Sequence, residues 1–273
     1  YTFPKAKAAI VRALEIDPSS AGARPPHRTK QLLCSCNWAA AEPEISTALA
    51  HNPKTASVYT SAAWFYICKG STEQSLREMR RALAVEPSSP TLQVFLARIF
   101  LHAGEYRRAI DALSVLIETG PDFSIARRHR AAAYILNGQP GEALADLLLL
   151  PQDRAEDIAL RLPLLGRAYA DCGDIERGES IYRALLEMAR TDYVVGFNLA
   201  TVAVGLGRLE EALEHLERAL KEREPALLML RSLPWFGPIA PRSRYNAVLR
   251  AIWPAATERA SMPAPFYSRA ATG

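Results

Sequence analysis

Residues 93–121 read QVFLARIFLHAGEYRRAIDALSVLIETGP. Two apolar-rich runs flank a short polar turn at Gly104. Before that glycine stand Leu96, Ala97 and Phe100; after it stand Ala109 and Leu113. Steps of three and four residues place each set on one face of an α-helix. Glycine ends the first helix because the left-handed conformation costs least without a Cβ. Pro121 ends the second, since proline lacks an N–H and turns the preceding residue away from α geometry. The stretch therefore predicts two antiparallel helices, in close contact where Ala97 and Ala109 keep side chains small.

The same unit recurs along the chain. Gly70, Gly104, Gly138, Gly173 and Gly207 are separated by 34, 34, 35 and 34 residues. Four before each lies Tyr66, Phe100, Tyr134, Tyr169 or Ala203, and seven before each lies Ala63, Ala97, Ala131, Gly166 or Ala200. Five after each comes another small residue, Ser75, Ala109, Ala143, Gly178 or Ala212. Four further on comes a larger apolar one, Met79, Leu113, Leu147, Tyr182 or Leu216. Proline follows Asp17, Asn52, Glu86 and Gly120 at steps of 35, 34 and 34. Helix starts are also marked: Ser71–Gln74 has the form of a capping box, Asp174 suits an N-cap, and Pro140 suits a first turn. Thr55 and Ser89 are ready caps for the units that follow. No run alternates with the period of a strand.

A helix–turn–helix unit of this period resembles the tetratricopeptide repeat (TPR), whose pattern is W-x2-L-G-x2-Y, then A-x3-F, then A and P. Leu96, Ala97, Phe100, Ala109, Leu113 and Pro121 take the L, G, Y, A, F and P positions, and GRLEEALEHLERAL (207–220) is close to a consensus second helix. The resemblance implies an all-α fold: a right-handed α-solenoid of antiparallel helix pairs, the TPR superhelix, with a C-terminal capping segment. In this register the solenoid runs over 1–224. A half repeat at 4–18 precedes six repeats at about 22–53, 55–87, 89–121, 123–154, 158–191 and 192–224. Two units depart from the pattern. The fourth has Arg130 in place of a leucine and Leu150-Pro151 cutting its second helix short. The first has Pro25 and Pro26 within its first helix, which is expected to start late or to be irregular.

Residues 225–253 leave the register and read as two short helices, 225–232 and 242–252, joined by an aromatic turn at Trp235-Phe236. A solenoid needs an atypical end unit to cover its last apolar face. Residues 254–273 have no periodicity and read as a flexible tail. The whole arrangement resembles the C-terminal TPR regions of bacterial winged-helix transcriptional regulators and adenylate-cyclase-like signalling proteins. The likeness rests on Asn37–Glu42 in the first unit, Glu217–Arg223 in the last, and the turn Leu233–Ile239.

Charge does not point to nucleic acid. The 33 basic and 29 acidic residues are interspersed, whereas a nucleic-acid binder gathers its cations into a patch. No charge-free apolar run is long enough to span a membrane, and no signal peptide is visible. The chain opens on Tyr1 in mid-pattern and is read as a piece of something longer. Its expected location is the cytoplasm, or the periplasm if an upstream anchor was removed.

Catalysis needs convergent groups. His27, His51, His102, His129 and His215 share no metal spacing, and no H-E-x-x-H, P-loop or nucleophile elbow is present. Neither enzymatic activity, a cofactor nor a metal is expected. Cys34 and Cys36 form a CxC pair, but Cys36 takes the turn position that is glycine in later units. The pair reads as the turn of an irregular first repeat.

The resemblance also implies where binding occurs, on the concave face formed by the first helices. Its register puts Trp64, Arg98, Arg167 and Thr201 on one inner row. Thr60, Val94, Arg128 and Phe197 lie on another, with Asn198 beside them. Three arginines suit bidentate binding of carboxylates, or they are ordinary solvated groove residues. Apart from Asn198, the Lys/Asn carboxylate clamp of the family is missing. The expected partner is a protein or peptide in this groove. The chain is then a sensory or interaction region governing a fused domain, or a free-standing adaptor. A third reading, an RNA-binding helical repeat, has few inner cations behind it.

Overall fold

The computed structural model describes residues 38–51, 54–120, 123–151, 155–192 and 194–253. The proposed half repeat at 4–18, the proline-interrupted helix of the first unit, Cys34, Cys36 and the tail 254–273 lie outside them.

The described residues are helical, with no strand among them. In chain order, α1 is Trp38–Ala50, α2 Ala56–Cys68, α3 Thr72–Val85, α4 Pro90–His102 and α5 Tyr106–Thr119. Next come α6 Ser124–Leu136, α7 Pro140–Leu148, α8 Ala155–Asp171, α9 Ile175–Thr191, α10 Gly196–Gly205 and α11 Leu209–Glu222. Two 3₁₀ turns, Pro225–Met229 and Pro234–Ile239, lead to α12, Ser243–Ile252. Each predicted pair is packed against itself: α2 on α3, α4 on α5, α6 on α7, α8 on α9, α10 on α11. This is the α-solenoid that the 34-residue period implies.

The markers act as their chemistry requires. Gly70, Gly104, Gly138, Gly173 and Gly207 all have φ between 74 and 82°, the left-handed conformation that lets a helix stop and reverse. The small positions are the points of closest approach. A Cβ on Gly166 would lie 2.9 Å from the Val202 side chain, and one on Gly178 would lie 2.9 Å from that of Leu206. Ser75 is fully buried and donates to the Ala63 carbonyl at 2.7 Å, tying α3 to α2. Met79, Leu113, Leu147, Tyr182 and Leu216 fill the core.

Two start signals behave differently from each other. Asp174 caps α9, accepting from the Arg177 amide at 3.1 Å. Ser71 has almost the same backbone angles, yet its side chain makes no capping bond. The expected capping box is therefore not formed. The fourth unit shortens as read, α7 ending at Leu148.

First helices of successive units also pack on one another: α2 on α4, α4 on α6, α6 on α8, α8 on α10. Second helices approach less closely, so the stack bends with its first helices inside. Residues 225–253 pack on α10 and α11 at the end of the stack. The helix expected at 242–252 is α12, whereas the one expected at 225–232 is a 3₁₀ turn, Pro225–Met229, followed by a second at Pro234–Ile239.

Candidate functional site

The inner face is built from the first helices, and its two ends differ. At the α10 end it is filled by the chain itself. Phe197 is buried, its ring 5.3 Å from that of Phe236, which in turn stacks on Tyr245 at 6.4 Å. Thr201 is buried too, its hydroxyl donating to the Phe197 carbonyl at 2.9 Å. Asn198 is half-buried beside them. On α8, Arg167 donates to both carboxylate oxygens of Asp171, at 2.9 and 2.8 Å, and reaches the Trp235 carbonyl at 3.4 Å. Its charge is met within the chain.

The segment 225–253 does more than cover the last unit. Ser232 is hydrogen-bonded to His102 Nδ1 on α4 at 2.8 Å. At its far end, the Ile252 carbonyl accepts from Trp38 Nε1 on α1 at 2.8 Å, and Trp253 stacks on Trp38 at 6.2 Å. Residues 225–253 thus touch α4 through Ser232, α8 and α10 through Trp235 and Phe236, and α1 through Ile252 and Trp253. This segment, two 3₁₀ turns and α12, covers part of the inner face.

The α2–α6 end is different. Arg98 lies over the Trp64 ring at 4.7 Å and over Phe95 at 5.2 Å. Trp64 meets Phe95 and His102 edge-on, at 6.0 and 5.5 Å. Arg128 and His129 on α6 belong to the same neighbourhood, Arg128 acting on Arg98 and Arg98 on His129. Burial, reinforced by Arg98, pushes the His102 imidazole down to about 3. His129 is held well below the ordinary range by burial, then by Arg98, Arg128 and His102. Burial and then Arg128 lower Arg98, with Cys68 acting the other way. Both imidazoles are therefore neutral at pH 7, serving as hydrogen-bonding groups rather than cations.

The structure thus joins Trp64, Arg98 and Arg128 in one cluster and leaves Arg167, Phe197, Asn198 and Thr201 at the strapped end. Phe95, His102 and His129 belong to the cluster but were not among the residues read from sequence. The signal existed: His102 is one turn beyond Arg98, and His129 adjoins Arg128. Ser232, 130 residues from its partner, had no local signal.

Among the described residues, no group of three or more His, Cys, Asp or Glu side chains is placed to hold a metal. No helix there is long and apolar enough to cross a membrane.

Models of the tetratricopeptide repeat match residues 69–133, 164–192 and 194–218. Anaphase-promoting complex subunit 7 of Dictyostelium discoideum is 30% identical over 184 residues, 66% of this chain. The match spans only 31% of that relative's length. In structure, the chain resembles the APC/C hetero-tetramer Cut9–Hcn1, with a TM-score of 0.58 at 17% identity, over 92% of this chain and 52% of that one. It also resembles PilW, a widely conserved type IV pilus biogenesis factor, with a TM-score of 0.51 at 15% identity, over 85% and 99%. At these identities the structural likenesses speak to fold alone. With the period, the left-handed glycines and the family matches in agreement, residues 69–133, 164–192 and 194–218 carry tetratricopeptide repeats within an all-α solenoid.

Proposed function

We propose that the chain is a non-catalytic protein-interaction module whose inner helices bind a protein or peptide. One observation carries this reading. The inner face already carries part of the chain's own C-terminal segment, held to α8, α10 and α4 by a main-chain carbonyl, an aromatic ring and Ser232. A surface that packs against one polypeptide segment has the shape and donors to bind another. The half-exposed groups of α2, α4 and α6 are then the part left for a partner.

The likeness to bacterial regulators at Asn37–Glu42, Glu217–Arg223 and Leu233–Ile239 supports a sensory region governing an attached signalling or DNA-binding domain. A second reading, a scaffold within an assembly, draws on the likeness to a subunit of the anaphase-promoting complex. Both readings use the same face.

A photoreactive amino acid at Thr60, on α2, tests the shared claim against one at Arg190, an exposed position on α9. Adducts are identified by mass spectrometry and the complex is rebuilt from purified components. The module reading expects an adduct from Thr60 that survives reconstitution. Adducts from Arg190 alone, or from neither, would refute it.

A further inference from the structure

We propose that the chain forms a two-fold dimer through the outer face of α7, with Leu148 and Leu149 at the centre of the contact. This contact lies on the outer side of the stack and is independent of the inner face.

From Ala143 to Leu150 the sequence is ALADLLLL, with one polar residue. That residue, Asp146, is buried and bonded to Arg130. Ala143, Leu147 and Leu150 are buried within the chain. The outward residues of the same turns, Ala145, Leu148 and Leu149, are apolar as well, and Leu148 is 54% exposed and Leu149 68%. A helix that is apolar on every side belongs in an interior. Here one side meets water. Single exposed aliphatic residues are ordinary on a surface, but these two share an outer row with a third. Val115 holds the place on α5 that Leu149 holds after α7, and it is 59% exposed. Ala184 on α9 continues the row and is exposed too.

Charge on the two flanks selects the occupant. On α5 the residues one turn to either side of Val115 are Asp111 and Glu118, both exposed. On α9 the exposed residue beside Ala184 is Arg183. Among the described residues none of the three makes an ion pair, and Arg183 reaches only the Glu179 carbonyl of its own helix, at 3.4 Å. The apolar face of α7 therefore lies between an acidic flank and a basic one. A second copy, turned about an axis along α7, sets its α5 over this α9 and its α9 over this α5. Arg183 of each copy then lies between Asp111 and Glu118 of the other. Glu187, also on α9, is already met by Arg190 at 3.0 Å. An axis across α7 would instead set α5 on α5, acid on acid. One unit further out the match repeats: α3 presents Arg77 and Arg80, and α11 presents Glu214, all exposed. A face whose two flanks complement each other fits a second copy of itself, as an isologous contact requires. An apolar centre with a charged rim is the anatomy of such an interface.

The test is sedimentation velocity of the full chain from about 1 μM to about 300 μM, the range that a contact at the small end of interface sizes requires. A reversible monomer–dimer equilibrium is expected. Leu149→Asp puts an unpaired carboxylate at the centre and weakens the dimer by about tenfold or more, with the melting temperature unchanged at the lowest concentration. Ile175→Asp makes the same exchange at an exposed apolar residue at the start of α9, away from the contact, and leaves the dimer intact. Arg183→Glu and Glu118→Arg each weaken the dimer, and the double variant recovers it, because the exchanged charges face each other across the two-fold axis. A chain that stays monomeric at the highest concentration overturns the proposal and leaves the face to a different protein. Equal dimerisation by Leu149→Asp overturns it too, as does loss of the dimer in Ile175→Asp. A double variant no tighter than the single ones overturns the axis along α7. A lower melting temperature for Leu149→Asp would make Leu149 a packing residue of the fold and remove the interface.

Discussion

Arg130 stands where the repeat pattern calls for leucine, and its side chain shows what the exchange required. The guanidinium donates twice to Asp146, at 2.7 Å to each oxygen, and once to Ser114 at 2.9 Å. Arg127 approaches the same carboxylate at 3.5 Å. Asp146 is only 4% exposed, so this is an ion cluster at a helix contact where other units place apolar groups. Breaking such a cluster from one side leaves an uncompensated buried charge. Asp146→Asn is expected to cost about 3 kcal/mol in denaturant unfolding. The double change Arg130→Leu, Asp146→Ala should cost less than the sum of its two single changes, since the pair is coupled. The departure of Arg130 was legible in the sequence, but its partner was not: Asp146 is one of many acidic residues on helix surfaces until the fold selects it. The turn glycines lie at the other extreme, since the left-handed backbone they need follows from their chemistry alone.

Element boundaries followed from punctuation where proline or glycine stood at a helix end, and less well where a distant residue set them. The start of α10 is an example. No residue before it caps the helix, and Val195 at the N-cap position offers no side-chain acceptor. The cap comes from Glu224, beyond the next helix, whose carboxylate accepts from the amides of Gly196 at 2.6 Å and Phe197 at 3.0 Å. Gly196 is needed there, because a Cβ would sit 2.7 Å from the His215 carbonyl oxygen. A carboxylate at a helix N-terminus satisfies free N–H groups and complements the dipole. Glu224→Gln replaces one acceptor oxygen with a donor facing those amides. Its expected cost is about 1–3 kcal/mol, read from chemical denaturation, with no change in helix content of the native state. An unchanged midpoint would show that water serves as well. The same end of the chain carried the segment 225–232, where apolar composition suggested an α-helix and the structure has a 3₁₀ turn, Pro225–Met229.

At the scale of the whole molecule, repetition told most of the story and concealed one part of it. A period of 34 residues reports contacts between neighbouring helices, and these build the solenoid. It carries no information on a segment outside the repeat that returns to the start of the stack. The bond from Trp38 to Ile252 joins residues 214 apart, and only the folded curvature brings them together. That return leaves an end at α8 and α10 covered by the chain itself and an end at α2 to α6 where Arg98 packs on Trp64 and Phe95. Of the inner-row residues read from sequence, Trp64, Arg98 and Arg128 lie at one end and Arg167, Phe197, Asn198 and Thr201 at the other. The most direct test is a distance measured by pulsed electron spin resonance between labels on non-natural amino acids at Ala39 and Ala251, both exposed positions. If the C-terminal segment lies along the inner face and closes on α1, the distribution is short and narrow. A broad distribution of long distances would contradict it and return the whole inner face to solvent.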